Sequence, residues 1–134
     1  MNIDEVNYSI ERLKKAFLRL KESTDVVIDD LDRDGVIQRF EFTFEILWKT
    51  VMFLLRHEGF DCAGPRSCIK EAARRGFIDN GEIFLDMLED RNKASHIYDG
   101  STAIEIFDRI KDKYVKVIEE NITLFEEHIA RESE

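Results

Sequence analysis

The feature that most constrains this chain is the spacing of its apolar side chains, which recur every three or four residues along most of its length. That period puts them on one face of an α-helix, and no long segment shows the strict alternation of a half-buried strand. Ile3, Val6, Ile10, Leu13, Phe17 and Leu20 trace a first helix-packing seam. Phe40, Phe44, Leu47, Trp48, Val51, Leu54 and Leu55 trace a second, with Gly59 placed to end it. One Pro and six Gly in 134 residues leave few breaks, which favours long helices over a turn-rich β fold. The pattern predicts helices over about residues 4–22, 36–57, 65–75 and 81–95, and from about 102 to the end. Pro65 suits the first position of the short third helix and Gly76 its stop. Asp79 with Glu82, and Thr102 with Glu105, have capping-box spacing before the fourth and fifth. The expected architecture is a single all-α domain over residues 1–134, an up-and-down bundle of four or five helices. Its wide apolar faces would suit a dimer.

A chain of this length buries enough surface to need no staples. No apolar run reaches 18 residues, so no membrane span is expected. The first ten residues lack the basic start and apolar centre of a secretion signal. A cytoplasmic chain is therefore expected, with Cys62 and Cys68 as reduced thiols. The net charge of −9 repels nucleic acid at long range. A local basic patch would still act within about 8–10 Å.

Three groups of residues invite a chemical reading. Residues 30–41, DLDRDGVIQRFE, match the EF-hand calcium loop: Asp30, Asp32 and Asp34 alternate, Gly35 follows, Ile37 is aliphatic and Glu41 is twelfth. The competing reading is an acidic loop leading into the second helix, capped by Asp34. No second loop pairs with it, and the preceding STDVVID is a poor entering helix. Cys62, Cys68 and His57 match no common zinc module and lack a fourth ligand, so no metal site is expected. Arg66, Lys70 and Arg74 recur every four residues, with Arg75 beside them. That stripe, like Arg12, Lys14, Lys15, Arg19 and Lys21 on the first helix, is either a solvated face or a contact for RNA or nucleotide phosphate. His128 reads as a surface residue.

The densest chemistry is in residues 91–100, RNKASHIYDG. His96 can move a proton near neutral pH, and Arg91 can hold a phosphate and stabilise charge on it. Those two roles suffice for metal-free RNA cleavage by a 2′-hydroxyl, with acid–base help worth roughly 10²–10⁴-fold. One chain supplies one such histidine, and a two-fold dimer would supply another. Five residues apart, Arg91 and His96 stand about 140° apart on an ideal helix. They share a pocket only if the helix ends between them or a partner chain completes the site. The other reading is a plain helix C-terminus, where Arg, Lys and His meet exposed carbonyls.

The string Arg91, four residues, His96, one residue, Tyr98, with Asn92 directly after the arginine, resembles the signature of HEPN domains. Residues 37–50, IQRFEFTFEILWKT, and 88–99, LEDRNKASHIYD, together resemble the nucleotidyltransferase substrate-binding proteins, a HEPN branch of small helical chains. The likeness runs from the first helix to the fifth. It implies a prokaryotic, dimeric bundle encoded beside a minimal nucleotidyltransferase. In related pairs the HEPN chain is an RNase toxin, and the transferase silences it by adding AMP to the motif tyrosine. Carried over, Arg91 and His96 would be catalytic, Asn92 would support them and Tyr98 would accept the nucleotidyl group. The chain would need no cofactor of its own; the transferase would use ATP and Mg²⁺. The family also implies an alternative role as a non-catalytic adaptor presenting nucleotide or target to the transferase. It places the stretch at residues 30–41 ahead of the second helix without calcium. The charges of Glu89, Asp90 and Asp99 would oppose RNA approach.

Overall fold

A computed structural model describes residues 3–94 and 99–132, and every regular element among them is helical. The elements are α1 (Ile3–Thr24), α2 (Asp30–His57), α3 (Pro65–Arg74), α4 (Gly81–Ala94), α5 (Gly100–Arg109) and α6 (Val115–Glu132). A five-residue π-helical segment, Ile110–Tyr114, joins α5 to α6 without a break.

The first two helices are antiparallel. Ser9 and Thr50 hydroxyls meet at 2.6 Å in the buried seam, and Arg39 donates to the Arg19 carbonyl at the other end. α6 also runs against α1, pinned by Lys14–Glu126 at 3.0 Å and Lys21–Glu119 at 2.8 Å. Both seams read from the sequence enter one core. Leu13 and Leu20 of α1, Phe40, Phe44 and Leu47 of α2, Phe84 and Met87 of α4, and Ile118 and Phe125 of α6 are fully buried. Each such side chain contributes about 1.5–3 kcal/mol relative to exposure. The antiparallel pairing makes this the up-and-down bundle the periodicity predicts.

Four local expectations need correction. α2 begins at Asp30, six residues earlier than its apolar stripe suggests. Asp29 caps it by accepting from the Asp32 N–H at 2.9 Å, and Asp32 accepts from the Ile28 N–H. Residues 30–41 are therefore the first turns of a helix and not a calcium loop. Asp30 and Asp32 point to opposite sides of it, so their carboxylates cannot close around one ion. Acidic residues in the first turn instead meet the positive end of the helix dipole.

Cys62 and Cys68 are not separate thiols: they form a disulfide, with Cα atoms 5.0 Å apart. The reduced reading rested on a missing secretion signal, which speaks to compartment and not to where the chain brings its sulfurs. The same bond removes both cysteines as zinc ligands alongside His57. Asn80, at φ 62°, takes the place ahead of α4, and its carbonyl accepts from Ile83 and Phe84. The Asp79 N–H and C=O are taken by the Asn121 side chain at 2.9 and 3.1 Å. A Cβ on Gly81 would fall 2.8 Å from that of Ala73, so the end of α3 rests on the start of α4. Finally, Asp99 caps α5 by accepting from Ser101, which moves the helix start to Gly100 and puts Thr102 inside it.

Candidate functional site

The C-terminal end of α4 carries Asp90, Arg91 and Asn92. Asp90 is 3% exposed. A buried carboxylate needs partners, and three donors reach it: Arg109 Nε at 2.7 Å, Arg109 Nη2 at 2.8 Å and the Tyr114 hydroxyl at 2.5 Å. Burial, reinforced by Asp90, raises the Tyr114 hydroxyl far above its ordinary range and keeps it a donor. The hydrogen bond to Asp90 likewise holds the Arg109 guanidinium charged, against a partial opposing effect of burial. Tyr114 stacks on Phe40 of α2, with ring centroids 5.4 Å apart. Arg109 and Tyr114 bracket the π segment. A π turn alters the direction of the side chains that follow it, and both of these donors converge on one carboxylate. The end of α4 is thereby fastened to the α5–α6 helix and to α2.

Arg91 sits one residue beyond that anchor. Its side chain is 29% exposed. Nη2 donates to Glu45 Oε2 at 2.5 Å, and Nη1 donates to Asn92 Oδ1 at 3.0 Å. Asn92 thus orients the guanidinium directly. Glu45 lies on α2, one turn after Glu41, and Lys49 approaches its other oxygen at 3.6 Å. Burial works to raise the Glu45 carboxyl, but the Arg91 hydrogen bond and charge, with Lys49, hold it below its ordinary value. Glu41 is raised by burial, which Arg91 only partly offsets. Two carboxyls of opposite tendency therefore face the motif arginine.

His96 and Tyr98 lie outside the described residues. The chain is described again from Asp99, whose carboxyl is lowered first by the Ser101 N–H and then by the Ser101 hydroxyl. The three acids expected to repel RNA have separate duties. Asp90 is buried and paired, Glu89 lies 3.4 Å from Lys93, and Asp99 caps α5.

The basic stripe is a different surface. Arg66, Lys70 and Arg74 are exposed on α3. Arg74 forks onto Glu71 at 2.8 and 3.0 Å; Arg75 shares that carboxylate at 2.6 Å and covers the Phe60 ring. The Arg74 end of α3 meets α4 near Gly81, ten residues or about 15 Å of helix from Arg91. Sequence reasoning missed Glu45, Glu41, Arg109 and Tyr114 as neighbours of the motif. The Asp90 that precedes Arg91 was the available signal: an acid on an otherwise apolar face, three residues after Met87.

The model of a family described as "Nucleotidyltransferase substrate binding protein like" matches residues 2–127. A curated Haemophilus influenzae protein named "Probable ribonuclease HepT" is 28% identical over 91 residues, covering 64% of this chain. The chain spans 62% of that relative's length. A crystal structure of a Thermus thermophilus protein superposes with a TM-score of 0.77 at 34% identity, covering 84% of this chain and 98% of that one. The H. influenzae protein HI0074 superposes with a TM-score of 0.67 at 21% identity, covering 93% and 99%. Its structure is described as the fold of a substrate binding domain of a nucleotidyltransferase.

Proposed function

The chain belongs to the nucleotidyltransferase substrate-binding protein family, and from that premise we propose that it is the ribonuclease half of a pair with a minimal nucleotidyltransferase. Arg91 holds the scissile phosphate, Asn92 orients it and His96 carries a proton. The RNA 2′-oxygen attacks the adjacent phosphorus and the 5′-oxygen leaves. The products are a 2′,3′-cyclic phosphate and a 5′-hydroxyl end, and no metal ion is required. A homodimer brings two copies of Arg91 and His96 to one cleft, supplying both acid and base. The transferase, using ATP and Mg²⁺, adds AMP to Tyr98, and the added negative charge and bulk close the cleft to RNA.

The observation that carries this reading is the preparation of Arg91. It is part exposed, oriented by Asn92 and set on a helix end that Asp90 fastens through Arg109 and Tyr114. The test is incubation of the purified chain with a broad set of RNAs in chelator. Cleavage is expected, with a loss of at least about 10²-fold in His96→Ala and in Arg91→Ala. Equal survival of RNA with wild type and His96→Ala would refute the enzyme. Co-expression with the transferase is expected to add AMP-sized mass that vanishes in Tyr98→Phe.

One observation favours a second reading, a non-catalytic adaptor for the transferase: Glu45 already occupies one edge of the Arg91 guanidinium. The adaptor co-purifies with the transferase, binds nucleotide only in that complex and leaves RNA intact. Phosphate contact by Arg66, Lys70 and Arg74 serves either role. It is read out by a weaker salt dependence of RNA or nucleotide binding when all three become Gln.

A further inference from the structure

The far end of the bundle gathers four side chains that the Arg91 motif does not use. His57 is the last residue of α2 and Glu58 its C-cap. His128 and Glu132 stand one turn apart near the end of α6. His57 Nε2 lies 3.1 Å from Glu132 Oε2, and His128 Nε2 lies 2.9 Å from Glu58 Oε1 and 3.8 Å from Glu132 Oε1. The ligand atoms of His57, Glu58 and Glu132 all fall within 4.8 Å of one another; His128 stands outside that group, beside Glu58 and Glu132.

We propose that His57, Glu58, His128 and Glu132 form a site for a divalent transition-metal ion, best suited to zinc. Zn–N and Zn–O bonds of about 2.0–2.2 Å put the ligand atoms of a tetrahedral site about 3.3–3.5 Å apart. The three His–Glu contacts above lie within about half an ångström of that edge length, and His128, outside the group of three, would close onto the ion by side-chain rotation. Two imidazoles select zinc over calcium or magnesium, which take oxygen ligands.

The surroundings suit a cation. The C-terminal carbonyls of α2 add partial negative charge beside His57 and Glu58. The Glu132 carboxylate lies against both imidazoles. An ion would replace those contacts by direct bonds to both carboxylates. The Phe77 ring meets His128 edge-on at 5.0 Å and fixes its plane. His57 Nδ1 is buried with no partner among the described residues, so no protein acceptor locks its tautomer. All four side chains are partly shielded, between 19% and 35% exposed. Two ligands, His128 and Glu132, lie beyond residues 2–127, which the family model matches. Bound zinc would tie the end of α2 to the end of α6.

The test uses tag-free, chelator-stripped full chain titrated with zinc chloride, with magnesium chloride in parallel. One zinc per chain is expected, with an upward shift in Tm that magnesium does not reproduce. His128→Gln with Glu132→Gln is expected to weaken zinc binding at least about 100-fold. Circular dichroism at 222 nm checks that this variant stays folded, and His57→Gln serves as the second variant should it not. Cys62→Ser with Cys68→Ser is expected to keep the site. The proposal falls if wild type shows no stoichiometric binding, if the His128/Glu132 variant binds zinc as wild type does, or if only the cysteine variant loses it. RNA cleavage is not part of the readout, so failure here leaves the ribonuclease reading standing.

Discussion

Asp90 is the side chain on which the most neighbours depend. Removing its carboxylate leaves the buried Tyr114 hydroxyl without an acceptor and Arg109 without its charge partner. Asp90→Ala is expected to lower unfolding free energy by about 2–3 kcal/mol in urea titrations. Asp90→Asn, which keeps one acceptor oxygen, should cost less. The Glu45–Arg91 pair gives a pH signature instead. The fold depresses the Glu45 carboxyl below its ordinary value of 4.5. Its stabilising contribution is therefore complete above that value and is lost as pH falls through the lower, folded-state one. The Tm gap between wild type and Glu45→Gln is expected to be widest near neutrality and to shrink steadily below pH 4.5. Glu41, raised by burial, slopes the opposite way and is present in both proteins. The motif arginine was legible from its string. Its carboxylate neighbours were not, because Glu45 is 46 residues away and an acid on a helix face looks solvated until another helix packs on it.

Helices differ in how much of themselves they declare. The seams of α1 and α2 were readable because a helix must bury one stripe and the period is fixed. The ends were less so, since caps compete locally: Asp29 outdid Asp34, and Asp99 outdid Thr102. The π segment was invisible, because the buried residues Ile106, Ile110, Tyr114 and Ile118 keep an unbroken four-residue spacing through it. The disulfide fastens the start of α3 to the loop before it, between residues six apart in sequence. A loop that short removes little denatured-state freedom, about 2 kcal/mol on the chain-entropy estimate. Urea unfolding with and without dithiothreitol should differ by about that amount. Cys62→Ser with Cys68→Ser should behave as the reduced protein does.

For the whole molecule, the dimer proposed above makes a prediction that no single chain can meet. Arg91→Ala and His96→Ala proteins, each inactive alone, are expected to regain part of the RNA cleavage when mixed and allowed to exchange subunits. No recovery, with subunit exchange verified by native mass spectrometry, would mean that one Arg91 and one His96 from different protomers do not make a working cleft. Among the described residues Leu18, Val26, Ile28, Leu31 and Phe42 are large apolar side chains left exposed, material for such an interface. By itself the sequence determined the helical class, the two main packing seams and the position of the Arg91 motif. Those are fixed by backbone period and by residue type, both local quantities. Tertiary structure alone decided that residues 30–41 are helix, that Cys62 meets Cys68, that Asp90 is buried against Arg109 and Tyr114, and that His57 meets Glu132. Each of those depends on which surfaces dock, and docking is set by the sum of many weak contacts between segments that the sequence keeps far apart.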